Sequence, residues 1–257
     1  MGKSVIRQRV ARTRRQPSSS GDLDRLQAAI SACRICCERP LGAPLPHAPR
    51  PVVRVSSTAT ICIVGQAPGT RVHASGIPFT DPSGDRLRAW LEMDAEAFYD
   101  AGRVAIVPMG FCFPGQDARG ADLPPRRECA PAWRAGLFAA LPGIELLFAV
   151  GAYAQAWHLG SLARGSLTET VAAWREIMAA TSRPMVIPLP HPSWRNNVWI
   201  KKNPWFEAEL LPVVRRAVAD QLRPTCELTE GKIVSIDRDS PRTNERNPAK
   251  SGIKSRG

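Results

Sequence analysis

Four short apolar runs are spaced along the chain, and each one predicts a buried strand. The runs are continuous rather than alternating, as expected for parallel strands covered by helices on both faces. They cover residues 59–64, 104–107, 144–150 and 185–189. Apolar residues at helical spacing fill the stretches between and after them, near residues 84–93, 126–141, 151–158, 167–180 and 203–221. Strands that alternate with helices predict an α/β fold built on a mainly parallel sheet.

A further amphipathic helix is predicted before the first strand, over residues 21–34. Its apolar positions recur at helical spacing, and the helix would bring Cys33 and Cys36 to its end. A proline-rich, irregular stretch over residues 38–56 separates this helix from the first strand.

The length and the distribution of charge predict one domain with two basic tails. A chain of 257 residues, 44% of them hydrophobic, can bury one sizeable core, which we place over residues 21–222. Of the formal net charge of +12, residues 1–20 carry six basic residues and no acidic ones. Residues 223–257 carry eight basic and five acidic residues, so the body carries only +3. We expect both tails to be disordered and to raise non-specific affinity for nucleic acid.

Two classes of protein are not indicated by this sequence. It has no apolar run of about 18 residues, and no apolar segment follows its arginine-rich start. We therefore expect neither a membrane span nor a secretory signal, and a cytoplasmic protein. Seven cysteines, unevenly spread, favour free thiols or metal ligands over a disulfide framework.

The last predicted strand ends in a turn that presents a histidine. His191 stands between Pro190 and Pro192, and the ends of strands in open α/β sheets are where ligands bind. A structural turn with a hydrogen-bonded histidine explains this segment equally well. Residues 195–205 then mix basic, amide and aromatic side chains, a mixture that suits a phosphate backbone and a disturbed base stack. A solvated loop before the last helix is the competing interpretation.

Two loops come after the first strand. The first one allows the backbone to approach a ligand closely and consists of Gly65, Gln66, Ala67, Pro68 and Gly69. It matches neither the dinucleotide-binding nor the Walker pattern, and a tight connection without a ligand explains it about as well. The second loop, residues 76–84, contains Phe79, which can stack on a planar base. The simpler role for Phe79 is to pack in the core against the following helix.

Four cysteines form a possible ligand set. Cys33 and Cys36 make a C-x-x-C pair, and Cys112 and Cys129 follow later in the chain. Four thiolates complete a site for zinc or for a [4Fe–4S] cluster, and ordinary unliganded thiols remain an alternative. Cys37 can substitute for Cys36. Of the other two, Cys62 is expected in the core and Cys226 in the tail.

Taken together and in this order, these motifs resemble the uracil-DNA glycosylase superfamily, most closely its iron–sulfur branch, known as family 4. The resemblance covers roughly residues 30–220. It implies a three-layer α/β/α sandwich with a central four-stranded parallel sheet. It also implies hydrolysis of the N-glycosidic bond of a damaged base flipped out of DNA, as in base excision repair.

The resemblance also implies roles for individual residues. Gln66 would lie in the loop that holds the base and the attacking water, Phe79 would stack on the base, and His191 would donate a hydrogen bond to it. Ser193 and its neighbours would bind the DNA backbone. The ligands of a [4Fe–4S] cluster would be Cys33, Cys36, Cys112 and Cys129.

This sequence departs from the family at two positions. An aspartate in the first loop positions water in better-known members, and family 4 commonly has glutamate where Gln66 stands here. No residue is therefore assigned to water activation; Asp81 and Asp85 are candidates, with helix capping as their simpler role. Those family members also use an asparagine to recognise uracil, and the corresponding position here is close to Pro108. Asn196 or backbone groups are candidates to recognise uracil instead.

From the sequence we expect a monomeric DNA-repair glycosylase that removes uracil or a related deaminated base. Because negative charge builds on the departing base, a fixed donor such as His191 is what this reaction requires. A non-catalytic nucleic-acid-binding protein of the same fold is the alternative, since the expected acid is missing. A zinc-stabilised hydrolase of small nucleosides fits the motifs but not the basic tails.

Overall fold

The computed structural model describes residues 20–223 and contains one four-stranded sheet. Its strands are β1 (Ile61–Val64), β2 (Val104–Ile106), β3 (Leu146–Val150) and β4 (Met185–Leu189). They lie in the order β2-β1-β3-β4, and every pairing is parallel. The predicted tails lie outside the described residues, apart from Ser20 and Arg223.

Helices cover both faces of the sheet. The α-helices, in chain order, are α1 (Ser20–Ser31), α2 (Ile35–Glu38), α3 (Thr70–Ser75), α4 (Pro82–Leu91), α5 (Ala95–Tyr99), α6 (Cys129–Ala139), α7 (Ala152–Leu159), α8 (Leu167–Ala172), α9 (Trp174–Ala180), α10 (Asn197–Lys202) and α11 (Leu211–Leu222). Short 3₁₀ turns lie at Gly160–Leu162 and Trp194–Asn196, and a π-helical segment at Phe206–Leu210 leads into α11.

Alternate residues of each strand enter two separate hydrophobic cores. Cys62 and Val64 point into the core formed with α1, α6 and α7, whereas Ile61 and Ile63 point into the core formed with α4, α5 and α11. All four side chains are fully buried. The predicted three-layer α/β/α sandwich with a four-stranded parallel sheet is confirmed, and the first strand's continuous apolar run is explained by burial on both faces.

The predicted helix boundaries were wrong in two places. The helix expected over 21–34 ends at Ser31, because Cys33 donates its N–H to the carbonyl of Ile30 and the chain turns away. Cys36 therefore lies in α2 and not at the end of α1. The single helix expected over 167–180 is two helices, α8 and α9, because Ala173 leaves helical geometry between them.

No helix among residues 20–223 is long and apolar enough to cross a membrane.

Candidate active site

A pocket lies where β1, β2 and β4 end, at the carboxyl edge of the sheet. The empty space in it and at its mouth, open solvent included, is about 470 Å³. We call it the edge pocket; its lining consists of Val52, Gly65, Gln66, Ala67, Pro68, Gly69, Val72, Pro78, Phe79, Asp81, Ser83, Ile106, Pro108 and His191. This is the edge at which open α/β sheets place their ligands.

The loop from Gly65 to Gly69 is held in place by the segment that follows β2. The N–H of Met109 donates to the Gly65 carbonyl, and that of Gly110 donates to the Gln66 carbonyl, each over 2.9 Å. A Cβ on Gly65 would lie 3.3 Å from Cζ of Phe79, which is close enough that the ring would have to shift. The glycine thus lets the Phe79 ring lie directly against the loop.

Phe79 adopts a backbone conformation that bulky residues rarely use. Its φ angle is +56°, in the left-handed region. Its carbonyl accepts a hydrogen bond from the Tyr99 hydroxyl over 3.0 Å. A Cβ added to Gly84 would lie only 1.8 Å from the same carbonyl oxygen, so only glycine fits at that position. The ring packs edge-on against Phe98 and also lines the edge pocket. Phe79 is therefore both a packing residue and part of the site, and its strain is of the kind found at functional sites.

His191 is presented to the pocket in one tautomer. The backbone N–H of Ser193 donates to its Nδ1 over 3.2 Å, which requires Nδ1 to be unprotonated. In the neutral ring the proton is then on Nε2, and Nε2 is a donor. Burial lowers the pKa of His191 more than Asp81 and Asp122 raise it, so the ring is neutral at neutral pH.

Ser193 and Asn196 support His191 and do not line the pocket. The Asn196 side-chain amide donates to the His191 carbonyl over 2.7 Å, which fixes the turn. The Ser193 hydroxyl accepts from the Arg195 N–H, and its carbonyl accepts from Arg86. Of the residues predicted around the base, the structure brings together the Gly65–Gly69 loop, Phe79 and His191.

Two carboxylates lie beside the pocket. Asp81 lines it and accepts the N–H of Gly84 over 3.1 Å, which confirms its predicted role as the N-cap of α4. Asp122 was missed by the sequence analysis because it lies in an irregular loop without a recognisable motif. Its Oδ2 would lie 3.1 Å from a Cβ on Gly69. The other predicted candidate, Asp85, pairs with Arg88 instead.

An exposed rim follows His191 along the chain. Trp194 is 70% exposed and Val198 is 62% exposed, which is unusual for side chains of this size and character. The guanidinium of Arg195 lies over the Trp194 ring at 5.9 Å, and Lys201 and Lys202 follow in α10. The rim combines apolar and cationic groups in the segment that directly follows His191, a residue of the pocket lining.

The four predicted cysteine ligands line one cavity. Its wall contains Cys33, Cys36, Cys112 and Cys129 together with apolar residues and Arg126. Cys37 is not part of this wall. The Phe111 N–H donates to Sγ of Cys129 over 3.3 Å, and burial raises the pKa values of Cys112 and Cys129 to about 12.

The four thiols of this cavity are a donor set of the kind that binds zinc or a [4Fe–4S] cluster. No three His, Cys, Asp or Glu side chains among residues 20–223 are arranged to hold one metal ion. Zinc would need all four sulfurs at about 2.3 Å from one atom. A [4Fe–4S] cluster binds each thiolate through a different iron, so it does not require the four sulfurs to meet at one atom. The buried Nε1 of Trp133, which also lines the cavity, has no acceptor among the described residues.

One family comparison matches this site and this fold. The chain matches the uracil DNA glycosylase superfamily over residues 53–215, more than half of its length. The matched region runs from before β1 into α11 and includes the Gly65–Gly69 loop, Phe79 and His191; Cys33 and Cys36 precede it. The protein described here therefore belongs to the uracil DNA glycosylase superfamily.

Proposed function

We propose that this protein is a DNA glycosylase that hydrolyses the N-glycosidic bond of uracil or a related deaminated base flipped out of DNA. The observation that carries the proposal is the neutral His191, whose Nε2–H is available in a pocket that also contains the Phe79 ring. Membership of the superfamily supports a glycosylase-like activity. Removal of a deaminated base is the first step of base excision repair.

His191 supplies what the departing base requires. As the glycosidic bond breaks, the sugar becomes positive and negative charge builds on the base oxygen. A preorganised donor aimed at developing charge is typically worth about 3–4 kcal/mol. Because Ser193 and Asn196 fix both the tautomer and the turn of His191, its Nε2–H does not have to reorient during the reaction.

Phe79 and the first loop hold the base in place. Stacking on an aromatic ring is worth roughly 1–3 kcal/mol per base and tolerates different bases. Gln66 offers an amide to a base edge but cannot take a proton from water. We assign the acceptors for the attacking water to Asp81 and Asp122, the two carboxylates beside the pocket.

The exposed rim is the proposed contact with DNA. Trp194, which is exposed, would fill the gap that a flipped nucleotide leaves in the base stack, and this would offset part of the cost of unstacking. Arg195, Lys201 and Lys202 would neutralise phosphates. DNA is thus the proposed partner.

We also propose that Cys33, Cys36, Cys112 and Cys129 hold a [4Fe–4S] cluster. Bound there, the cluster would cross-link the segment after α1, the loop after β2 and the start of α6, which is a structural contribution. The support is the shared cavity and the unpaired Nε1 of Trp133, for which an inorganic sulfide is a suitable acceptor. None of the roles assigned to His191 or Phe79 depends on it.

The proposed function is tested by incubating the purified protein with oligonucleotides that carry one uracil, single-stranded or paired with guanine or adenine. Alkali-labile abasic sites are the expected product, and a thymine oligonucleotide of the same sequence is the control. Binding to all substrates without abasic product would overturn the proposal that the protein is an enzyme. The alternative would then be a non-catalytic nucleic-acid-binding protein, which the missing loop carboxylate favours.

A further inference from the structure

One arginine lies in the core with no carboxylate to balance it. Arg134, in α6, is 1% exposed, and no ion pair joins it to a carboxylate among residues 20–223. Burial lowers its pKa to about 10, which still leaves it charged at neutral pH. A buried charge without a counter-ion is costly, so its hydrogen bonds are expected to have a specific purpose.

The hydrogen bonds of Arg134 converge on the segment that follows β2. Nη1 donates to the carbonyl of Pro108 over 2.9 Å, and Nη2 approaches the carbonyl of Val107 at 3.4 Å. Nη2 also lies 2.8 Å from Nε2 of His158. Burial and the neighbouring Arg134 lower the pKa of His158 to about 3, so His158 is neutral and accepts this hydrogen bond.

The segment that follows β2 also contacts β1 and the loop that lines the edge pocket. Val107 donates its N–H to Ile63 in β1, while Met109 and Gly110 donate theirs to Gly65 and Gln66. Pro108 itself lines the pocket and has no N–H to contribute. The segment 107–110 is therefore a wall between Arg134 and the first loop, held by backbone N–H groups on one side and by one guanidinium on the other.

We propose that Arg134 is a positioning residue, whose guanidinium fixes the 107–110 wall and, through it, the Gly65–Gln66 side of the pocket. Only the planar fork of arginine reaches two successive carbonyls and a histidine at once; lysine has a single ammonium. A small displacement of a pocket wall can cost about a hundredfold in rate. The catalytic part of this proposal rests on the proposed glycosylase function.

The test compares Arg134→Met, Arg134→Lys and Val218→Ala in the full chain. Val218 lies in α11, is buried and belongs to the core on the other face of the sheet, so Val218→Ala is the control for general destabilisation. Amide hydrogen exchange of peptides covering residues 107–112 is measured by mass spectrometry. Exchange should be faster in Arg134→Met and intermediate in Arg134→Lys, and it should stay at the wild-type rate in Val218→Ala.

Kinetics on a uracil oligonucleotide form the second part, at a temperature where every variant is folded. Arg134→Met should lower kcat by about tenfold or more with little change in KM, since the DNA-binding rim is untouched, and Arg134→Lys should recover part of the loss. Unchanged exchange in Arg134→Met, or equal acceleration in Val218→Ala, overturns the proposal. If the wild-type protein releases no uracil, the glycosylase proposal fails, and the exchange data still decide whether Arg134 holds the wall. If Arg134→Met does not fold, Arg134→Lys decides both measurements.

Discussion

The donor of the site is defined by a hydrogen bond within its own turn. His191 was predicted from its place between two prolines at the end of a strand, a pattern visible in the sequence. Its tautomer was not predictable, because it depends on the Ser193 N–H reaching Nδ1 in the folded turn. The same is true of Asp122, which approaches Gly69 only through a loop that returns from after β2.

Replacing His191 by alanine should reduce uracil release about a hundredfold to a thousandfold, the usual cost of removing one preorganised donor. The glutamine variant should keep more activity, because a carboxamide N–H can still donate. Single-turnover rates on one oligonucleotide give both values. A rate within threefold of wild type in His191→Ala, about 0.65 kcal/mol, would remove this residue from the mechanism.

The pH dependence of the wild-type rate provides an independent check on His191. Burial lowers its pKa, so the neutral ring with Nδ1 as acceptor predominates at and above the ordinary value of about 6.5. Protonation of Nδ1 would end the hydrogen bond from Ser193. Any loss of rate caused by His191 should therefore appear below pH 6.5, and a loss centred above pH 6.5 that disappears in His191→Gln would contradict the assignment.

Buried strands were predictable from the sequence, and short helices were not. The continuous apolar run over residues 185–189 predicted the limits of β4 correctly, because this strand is buried by a core on each face of the sheet. The helices α3, α5 and α10 have five or six residues each, too few for a 3.6-residue period to be visible. Their importance is positional: α3 follows the first loop, and α10 follows the His191 turn.

The exposed rim makes a prediction at the level of one such element. Trp194→Ala should weaken binding to a uracil duplex and slow uracil release by about fivefold to a hundredfold, because the stacking energy of one aromatic ring is roughly 1–3 kcal/mol. Release from single-stranded DNA should change less, since no helical stack has to be opened there. Fluorescence anisotropy and single-turnover rates on both substrates measure this. Trp157→Ala, at another exposed tryptophan, is the matched control. Equal losses in both variants would contradict the proposed contact between the exposed rim and DNA.

At the scale of the whole molecule, the sheet brings together residues that are far apart in the sequence. The parallel order β2-β1-β3-β4 places the ends of β1, β2 and β4 at one edge, which is why the loop at Gly65–Gly69 and the turn at His191 meet. The cysteine cavity depends on the same topology, since α6 and the loop after β2 must approach the segment after α1. The order of the motifs could be read from the sequence, whereas their separations in space required the fold.

The proposed cluster predicts both a colour and a stability. Protein purified without oxygen should be brown, absorb broadly near about 400 nm and contain about four irons per chain. Cys129→Ser should lose the colour, whereas Cys37→Ser, next to Cys36 but outside the cavity wall, should keep it. A ligand that saturates its site a hundredfold stabilises the native state by about 2.7 kcal/mol, so Cys129→Ser should unfold roughly 5–10 °C lower. A colourless wild-type protein that contains zinc would contradict the cluster and show that the site holds a single ion. Equal melting temperatures for Cys129→Ser and Cys37→Ser would show that the four thiols do not stabilise the fold together.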